Sequence, residues 1–302
     1  MDFHQLNYII KIAEEQNITR AAEKLFLTQS ALNQHLLKLE QELGTQLFVR
    51  SRTDWRPTKA GEIYLENAIK ILSIKKDTYN QISDLVHTAS GHLSIGLTAE
   101  RGISMFAAVY PKFYSRYPEV TVEPVELSVP EQLRLIKEGN LDLGFLTLKQ
   151  KIDSCYTYVH LLDEELLLAV PATHSMVQAG SGNHTPRQTI ELGHFSKDSF
   201  VMISKNSTLR TILDSLFKEA GFLPKVLFET RSNHTVLKMV DAGLCCAIIP
   251  ESYAKVSENI VYFSLPRNPT WEVIACYKKG TYVSKATQYF IEMARQYWVT
   301  YP

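Results

Sequence analysis

A chain of 302 residues exceeds one small module, and at about 100–200 residues per domain it calls for two domains or slightly more. Hydrophobic residues make up 45% and charged residues 21%, the balance of a folded globular protein rather than a disordered one. No run of about 18 apolar residues exists, which excludes a membrane span. Lys and Arg number 32 against 32 Asp and Glu, for a net charge of +0, so bulk positive charge does not hold this chain to nucleic acid and any such site is local.

The N-terminus, MDFHQLNYIIKIAEE, brings acidic residues in too early for the apolar stretch of a secretion signal, so a cytoplasmic protein is expected. Cys155, Cys245, Cys246 and Cys276 show neither CxxC spacing nor a disulfide framework. In a reducing compartment they read as buried apolar residues ahead of a redox pair.

From Asp2 to Glu15, Phe3, Leu6, Ile9, Ile10 and Ala13 recur at helical spacing and predict a first helix with one buried face. Thr19 stands where an N-cap belongs, and the small Ala21 and Ala22 of TRAAEKL let another helix approach closely. After a turn at Phe26 and Leu27, Thr28 is a second N-cap ahead of QSALNQHLLKLEQELG. There Leu32, Leu36, Leu39 and Leu43 form one apolar stripe, and Gly44 ends the helix. Two short helices packed through alanines, followed by a third, make a helix-turn-helix.

The stripe turns Gln29, Ser30, Asn33 and Gln34 outward, with Lys38 one turn on. Amide and hydroxyl side chains suit base edges in the major groove, where Asn or Gln bonds adenine twice. A plain solvated face has the same composition, and the next segment decides between them. TQLFVRSRTDWRPT holds a short strand, Leu47 to Val49, then Arg50, Arg52, Arg56 and Lys59 around one acid, Asp54. Cations on a β-turn beside a polar helix grip phosphates or enter the minor groove, so the region reads as a winged helix-turn-helix.

From Thr58 no proline intervenes, and past Gly61 in the first turn no glycine, until Gly91, and Leu65, Ala68, Leu72, Tyr79, Ile82 and Val86 lie near one face. About thirty residues at 1.5 Å rise extend beyond a small domain. A narrow apolar seam on such a helix pairs with another helix, so a dimerising linker is expected, and a dimer implies two half-sites in a near-palindromic operator.

From His92 the period changes. HLSIGL, VTVEPVEL and LDLGFLTL read as strands separated by helices at ISMFAAVYPKFYSRYP and PEQLRLIKEG; FVMIS, KVLFET and CCAIIP repeat the order around STLRTILDSLFKEAGF and SNHTVLKMVDAGL. Two βαβαβ units imply two similar α/β lobes. Ligands bind beyond the C-terminal ends of such strands. Those ends supply Thr98, Glu100, Ser128, Thr147, Ser204, Asn206, Ser207, Thr230 and Asn233, a ring of small polar side chains suited to a polar metabolite. Each alone is as readily a loop or cap residue; their recurrence at several strand ends points to a cleft.

ITRAAEKL, TQSALNQHLLKLEQELG, LFVRSR and PTKAG stand in the order and spacing of the LysR-type transcriptional regulators, and residues 1 to about 72 resemble the DNA-binding half of that family. The resemblance implies that Gln29, Ser30, Asn33 and Gln34 enter the major groove while Arg50, Arg52, Arg56 and Thr58 hold wing and backbone, and Thr28 and Lys38, on the same helix, are counted with them as DNA-binding. Asn33 stands where the family usually has Ser, and His35 where Gln is common. The remainder resembles the family's effector domain, which shares its fold with periplasmic binding proteins, with GLCCAIIP carrying Cys246 in place of a common Gly and the C-terminal segment from about Trp271 completing the first lobe. Glu100 replaces a frequent small hydroxyl, and a carboxylate there repels an anionic ligand unless Arg101 compensates. The implied organisation is a winged helix-turn-helix over 1–58, a linker helix over 59–90 and an α/β effector domain over 91–302, with lobe I at about 91–163 and 268–302 and lobe II at about 164–267. The family also implies a tetramer and contact with RNA polymerase at the promoter.

An enzyme and a transport binding protein are the alternatives. No GxSxG, HExxH, Walker A or GxGxxG after a strand is present, and His160, His174, His184 and His194 lack metal-ligand spacing. A transport protein has no use for a helix-turn-helix. A small-molecule effector is therefore expected and no cofactor.

Overall fold

The computed structural model describes residues 2–50, 55–86, 90–148, 153–177, 187–205 and 207–300. Arg52, Asn206 and His184 lie outside the described residues. The chain divides into two compact units, Met1–Thr88 and Ala89–Pro302.

In the first unit, α1 (Phe3–Glu15) buries Leu6, Ile9 and Ile12. Asp2 caps it, and Gln5 accepts in return from the Asp2 amide to close a capping box. α2 (Ile18–Lys24) is capped by Asn17 and not by Thr19. The Asn17 side-chain oxygen accepts from the Thr19 and Arg20 amides at 2.9 and 3.1 Å, a reach that Thr19, already inside the first turn, does not have. α3 (Gln29–Leu43) is capped by Thr28 through the Ala31 amide and stops at Gly44, whose φ of 68° favours a residue without a side chain. Leu32, Leu36 and Leu39 are buried, but Leu43 is exposed. Glu40 takes the inward place in the last turn, where it accepts from the Leu47 amide at 2.8 Å and from the Arg50 guanidinium.

β1 (Phe48–Arg50) and β2 (Trp55–Pro57) form the antiparallel wing, with Arg50 opposite Trp55. The Trp55 amide donates to the Gln16 carbonyl at 3.1 Å and fixes the wing to the end of α1. α4 (Lys59–Val86) starts at Thr58, whose hydroxyl accepts from the Gly61 amide at 3.1 Å. Tyr64 and Ala68 are buried in the same core as Ile12, Leu36 and Phe48. Beyond them Ile74, Tyr79, Ile82, Leu85 and Val86 are exposed, so the apolar seam divides into a half covered by its own unit and a half left in water.

The second unit runs β3 (Gly91–Leu97), α5 (Arg101–Arg116), β4 (Val120–Glu126), α6 (Val129–Glu138), β5 (Leu143–Leu148), β6 (Tyr156–Pro171), β7 (Ser199–Ile203), α7 (Thr208–Glu219), β8 (Lys225–Thr230), α8 (Asn233–Asp241), β9 (Ala247–Pro250), β10 (Ile260–Ser264), β11 (Thr270–Lys278) and α9 (Lys285–Thr300). In lobe I, β3 lies parallel to both β4 and β5, and β11 returns antiparallel between β5 and β6. In lobe II, β7 and β8 are parallel, and β6 carries β9 and β10 on either side. The strands β6, β10 and β11 are absent from the sequence-based expectation. β6 serves both lobes: up to Glu165 it pairs with β11, and from Leu166 with β9 and β10. Each lobe has its own core, around Ile95, Phe113, Phe145 and Phe290 in the first and Phe200, Ile212, Phe217 and Ile249 in the second. Each such side chain contributes about 2 kcal/mol by leaving water.

Candidate nucleic-acid interface and effector cleft

The outer face of α3 is set by its buried one. Gln29, Ser30, Gln34 and Lys38 are exposed and Asn33 is half-buried, whereas Leu32, Leu36 and Leu39 are buried. The Thr28 and Ser30 hydroxyls lie 3.1 Å apart, and His35 packs against Tyr8 with ring centroids 5.1 Å apart. His35 is itself exposed, and its ring contact links α3 to α1 at the surface. The turn before α3 holds Phe26 at φ 55° with its ring exposed.

The wing residues divide by role. Arg50 is committed to Glu40 and lies 5.6 Å from the centre of the Trp55 ring, which stiffens the hairpin beside α3. Arg56 is exposed on β2. The Thr58 hydroxyl donates to the Gln46 carbonyl at 2.7 Å as well as capping α4, so it joins wing and helix.

In the second unit a cavity of 540 Å³ opens between the strand ends of the two lobes. Thr98, Glu100, Ser128 and Thr147 line it from lobe I, and Ser204, Ser207 and Asn233 from lobe II. Thr230 is not among the lining residues: its carbonyl accepts from the Ser204 amide at 2.8 Å and its hydroxyl from the Ser232 amide at 3.2 Å, so it holds the two lining loops together. Ser128 commits its hydroxyl to Glu131 at 2.6 Å in a capping box at α6. This bond holds the Glu131 carboxyl below the usual carboxylate range.

Glu100 departs most from expectation. It sits at φ 59°, ψ −75°, with the Arg101 amide donating across it to the Ala99 carbonyl at 2.7 Å, a γ-turn that ordinary residues rarely adopt. Strain of this kind persists only where surrounding contacts enforce it. Here they come from lobe II: the Glu100 carboxylate accepts from the Ser232 hydroxyl at 2.5 Å, the Asn233 amide at 3.0 Å and the Tyr253 hydroxyl at 3.3 Å. Burial, with Glu100 beside it, pushes the Tyr253 hydroxyl up to about 12, so the phenol keeps its proton.

Arg101 does not compensate Glu100. It is buried, ion-paired with Glu164 of β6, and its guanidinium lies 4.5 Å from the centre of the Trp298 ring and 5.8 Å from that of Trp271. Burial lowers its pKa to about 10, which leaves it cationic at neutral pH. Glu164 also accepts from the Trp271 indole at 2.6 Å and from the Ser252 amide at 2.8 Å. The network therefore joins α5, β6 and β11 to lobe II where β6 changes partners.

Sequence reasoning missed Tyr253, Trp271 and Arg231 in the cavity wall. Tyr253 follows the GLCCAIIP segment closely enough for the strand-end rule to have reached it, and Arg231 stands between Thr230 and Asn233 at an end the rule did reach; Trp271 carried no such signal. Cys245, Cys246 and Cys276 are buried, and burial raises the thiol pKa of each, to about 12 for Cys246 and Cys276. Among the described residues no helix is long and apolar enough to cross a membrane.

Residues 3–62 match the bacterial regulatory helix-turn-helix family of lysR type, and residues 87–299 match the LysR substrate binding domain. The transcriptional regulator YcgK of Bacillus subtilis (strain 168) is 28% identical over 307 residues, covering 98% of this chain and 94% of its own length. A full-length OxyR variant from Pseudomonas aeruginosa has the same fold, with a TM-score of 0.71 at 22% identity over 98% of each chain. CbnR, solved in complex with its target DNA, is similar over 98% of this chain and 99% of its own, with a TM-score of 0.51 and 22% identity. Both halves of the chain thus match in order, and the protein belongs to the LysR family of transcriptional regulators, with a DNA-binding helix-turn-helix and an effector-binding domain.

Proposed function

We propose that this regulator reads a near-palindromic operator as a dimer paired through α4, and that a small molecule held between the two lobes of its second unit changes how it engages the promoter. The observation that carries the reading is the cavity between the lobes, walled by polar side chains from the strand ends of both. A ligand there touches both lobes at once, so its affinity depends on their spacing, and differential affinity is what shifts a two-state equilibrium. The exposed apolar residues Ile74, Tyr79, Ile82, Leu85 and Val86 of α4 support a helix that pairs with its counterpart. Assembly to a tetramer, contact with RNA polymerase and action in the cytoplasm complete the proposal, and all three follow from the family.

Thr147 is the position for testing the cleft, because it is 7% exposed in β5 and faces the cavity. Thr147→Trp fills the space a ligand needs. Operator binding is expected to survive and the effector response to vanish, measured as promoter output in cells with and without inducing medium. A retained response places the effector elsewhere.

On the DNA side, Gln29→Ala is expected to lower preference for the operator over random DNA by about 1–3 kcal/mol with little loss of non-specific binding. Arg52→Ala is expected to weaken all DNA alike and reduce the slope of log K against log salt by about one. Competition binding at several salt concentrations separates the two. An unchanged operator preference in Gln29→Ala removes α3 from the major groove.

A further inference from the structure

The first turn of α8 is built to receive an anion. Helix N-termini present unpaired N–H groups and the positive end of the helix dipole, and here the Ser232 hydroxyl and the Asn233 amide stand as donors at the edge of the effector cavity, whose wall includes Asn233. In this chain that place is taken. The carboxylate of Glu100, reaching over from lobe I, accepts from both donors and from Tyr253.

The rest of the wall has the same sign. Three carboxylates, Glu100, Glu126 and Glu131, line the cavity against two guanidiniums, Arg101 and Arg231. Arg101 is already neutralised by Glu164. A ligand carboxylate entering this corner meets uncompensated negative charge, and the helix end that could have received it is filled. A donor meets acceptors: a carboxylate offers about four lone-pair sites, three of which are used at Glu100, and Asn233 Oδ1 is buried in the same wall without a hydrogen-bond partner.

Resting on the reading of this cavity as the effector cleft, we propose that Glu100 is an internal anion that fills the N-terminus of α8, ties the lobes together across the cleft, and makes the cleft reject carboxylate effectors there in favour of ligands that present an ammonium or hydroxyl donor.

The test compares full-length wild type with Glu100→Gly and Glu100→Gln, using acetate as the carboxylate probe and methylammonium as the cation at matched ionic strength. Amide hydrogen exchange over residues 231–236 is the readout. Glycine adopts the positive φ of position 100 without strain, and glutamine keeps the shape without the charge, so one variant guards the fold of the other. Exchange at the start of α8 is expected to rise about tenfold or more in Glu100→Gly, since a charge-assisted bond is lost, and less in Glu100→Gln. Acetate is expected to restore slow exchange in Glu100→Gly, to leave wild type unchanged, and methylammonium to restore nothing. Acetate that slows α8 exchange in wild type as it does in the variant overturns the proposal, as does a glycine variant that exchanges like wild type. These outcomes are independent of the cleft reading. If Thr147→Trp retains its response while acetate rescues Glu100→Gly, the effector site has been misplaced and the Glu100 clamp stands.

Discussion

Glu164→Ala is expected to lower the thermal transition of the effector-binding unit by roughly 10 °C. Removing one partner of a buried ion pair costs about 3–5 kcal/mol, because the other charge is left without compensation, and in a unit of this size each kcal/mol lowers Tm by about 2–4 °C. The geometry supports the upper part of that range. Glu164 is 2% exposed and Arg101 8%, and the substitution strands the Arg101 guanidinium, the Trp271 indole and the Ser252 amide together. Stacking on Trp298 keeps part of the Arg101 interaction, since a cation over an aromatic face retains some attraction without its anion. The double variant Arg101→Met, Glu164→Leu removes both charges and is expected to recover most of the loss, as apolar replacements of buried pairs commonly do. Calorimetry on the two variants decides: a single variant that melts with wild type, or a double that melts below the single, shows that the pair does not hold the junction of the lobes.

The features legible in the sequence are those set by local pattern. The Leu32, Leu36, Leu39 spacing required a helix with one buried face, and the polar residues then had nowhere to point but outward. Gly44 and Thr28 marked the ends of α3 because capping is decided within four residues. Thr19 was misplaced as a cap since two residues that can cap stand close together, and only the buried position of Ile18 shows that the helix has already begun. Seven of the nine strand-end candidates line the cavity, Thr230 does not and Asn206 lies outside the described residues; those seven were legible because a βαβ unit fixes where its loops gather.

Long-range compensation was not legible. The Glu100 carboxylate finds its donors 132 and 133 positions away at the start of another helix, and the Arg101 guanidinium finds Glu164 63 positions away. Adjacent opposite charges suggested that the two residues answer each other, whereas the helical turn sends one side chain across the cleft and the other into the core. β6 was missed because LLDEELLLAVP mixes acids with an apolar run. Its first half is partly covered and its second half fully buried, since the two halves belong to different lobes, and no single period describes both. Leu43 was assigned inward by continuing a stripe that the fold ends one turn earlier, where Glu40 is needed to hold the wing.

Gly61→Ala is expected to abolish operator binding while leaving the effector-binding unit folded. A Cβ on Gly61 would stand 2.0 Å from the Leu47 carbonyl oxygen and 3.0 Å from its carbon, both backbone, so no side-chain rotation relieves the clash. The same oxygen accepts from the Thr58 amide at 2.9 Å. Pushing α4 away therefore breaks the bond that seats its first turn under the wing. Overpacking of this kind costs about 1–3 kcal/mol when neighbours can adjust and more here, where two backbones face each other, against a total of about 5–15 kcal/mol for a domain. The damage falls on the geometry DNA recognition depends on, because Leu47 leads directly into β1 and its amide is held by Glu40 of α3. Electrophoretic mobility shift and calorimetry read the two units separately: operator affinity is expected to fall by about a hundredfold or more, the equivalent of roughly 3 kcal/mol, with the thermal transition of the effector-binding unit unchanged. Wild-type affinity in Gly61→Ala would show that α4 and the wing move freely past one another, and the tight seat between them would then have no part in holding the recognition helix.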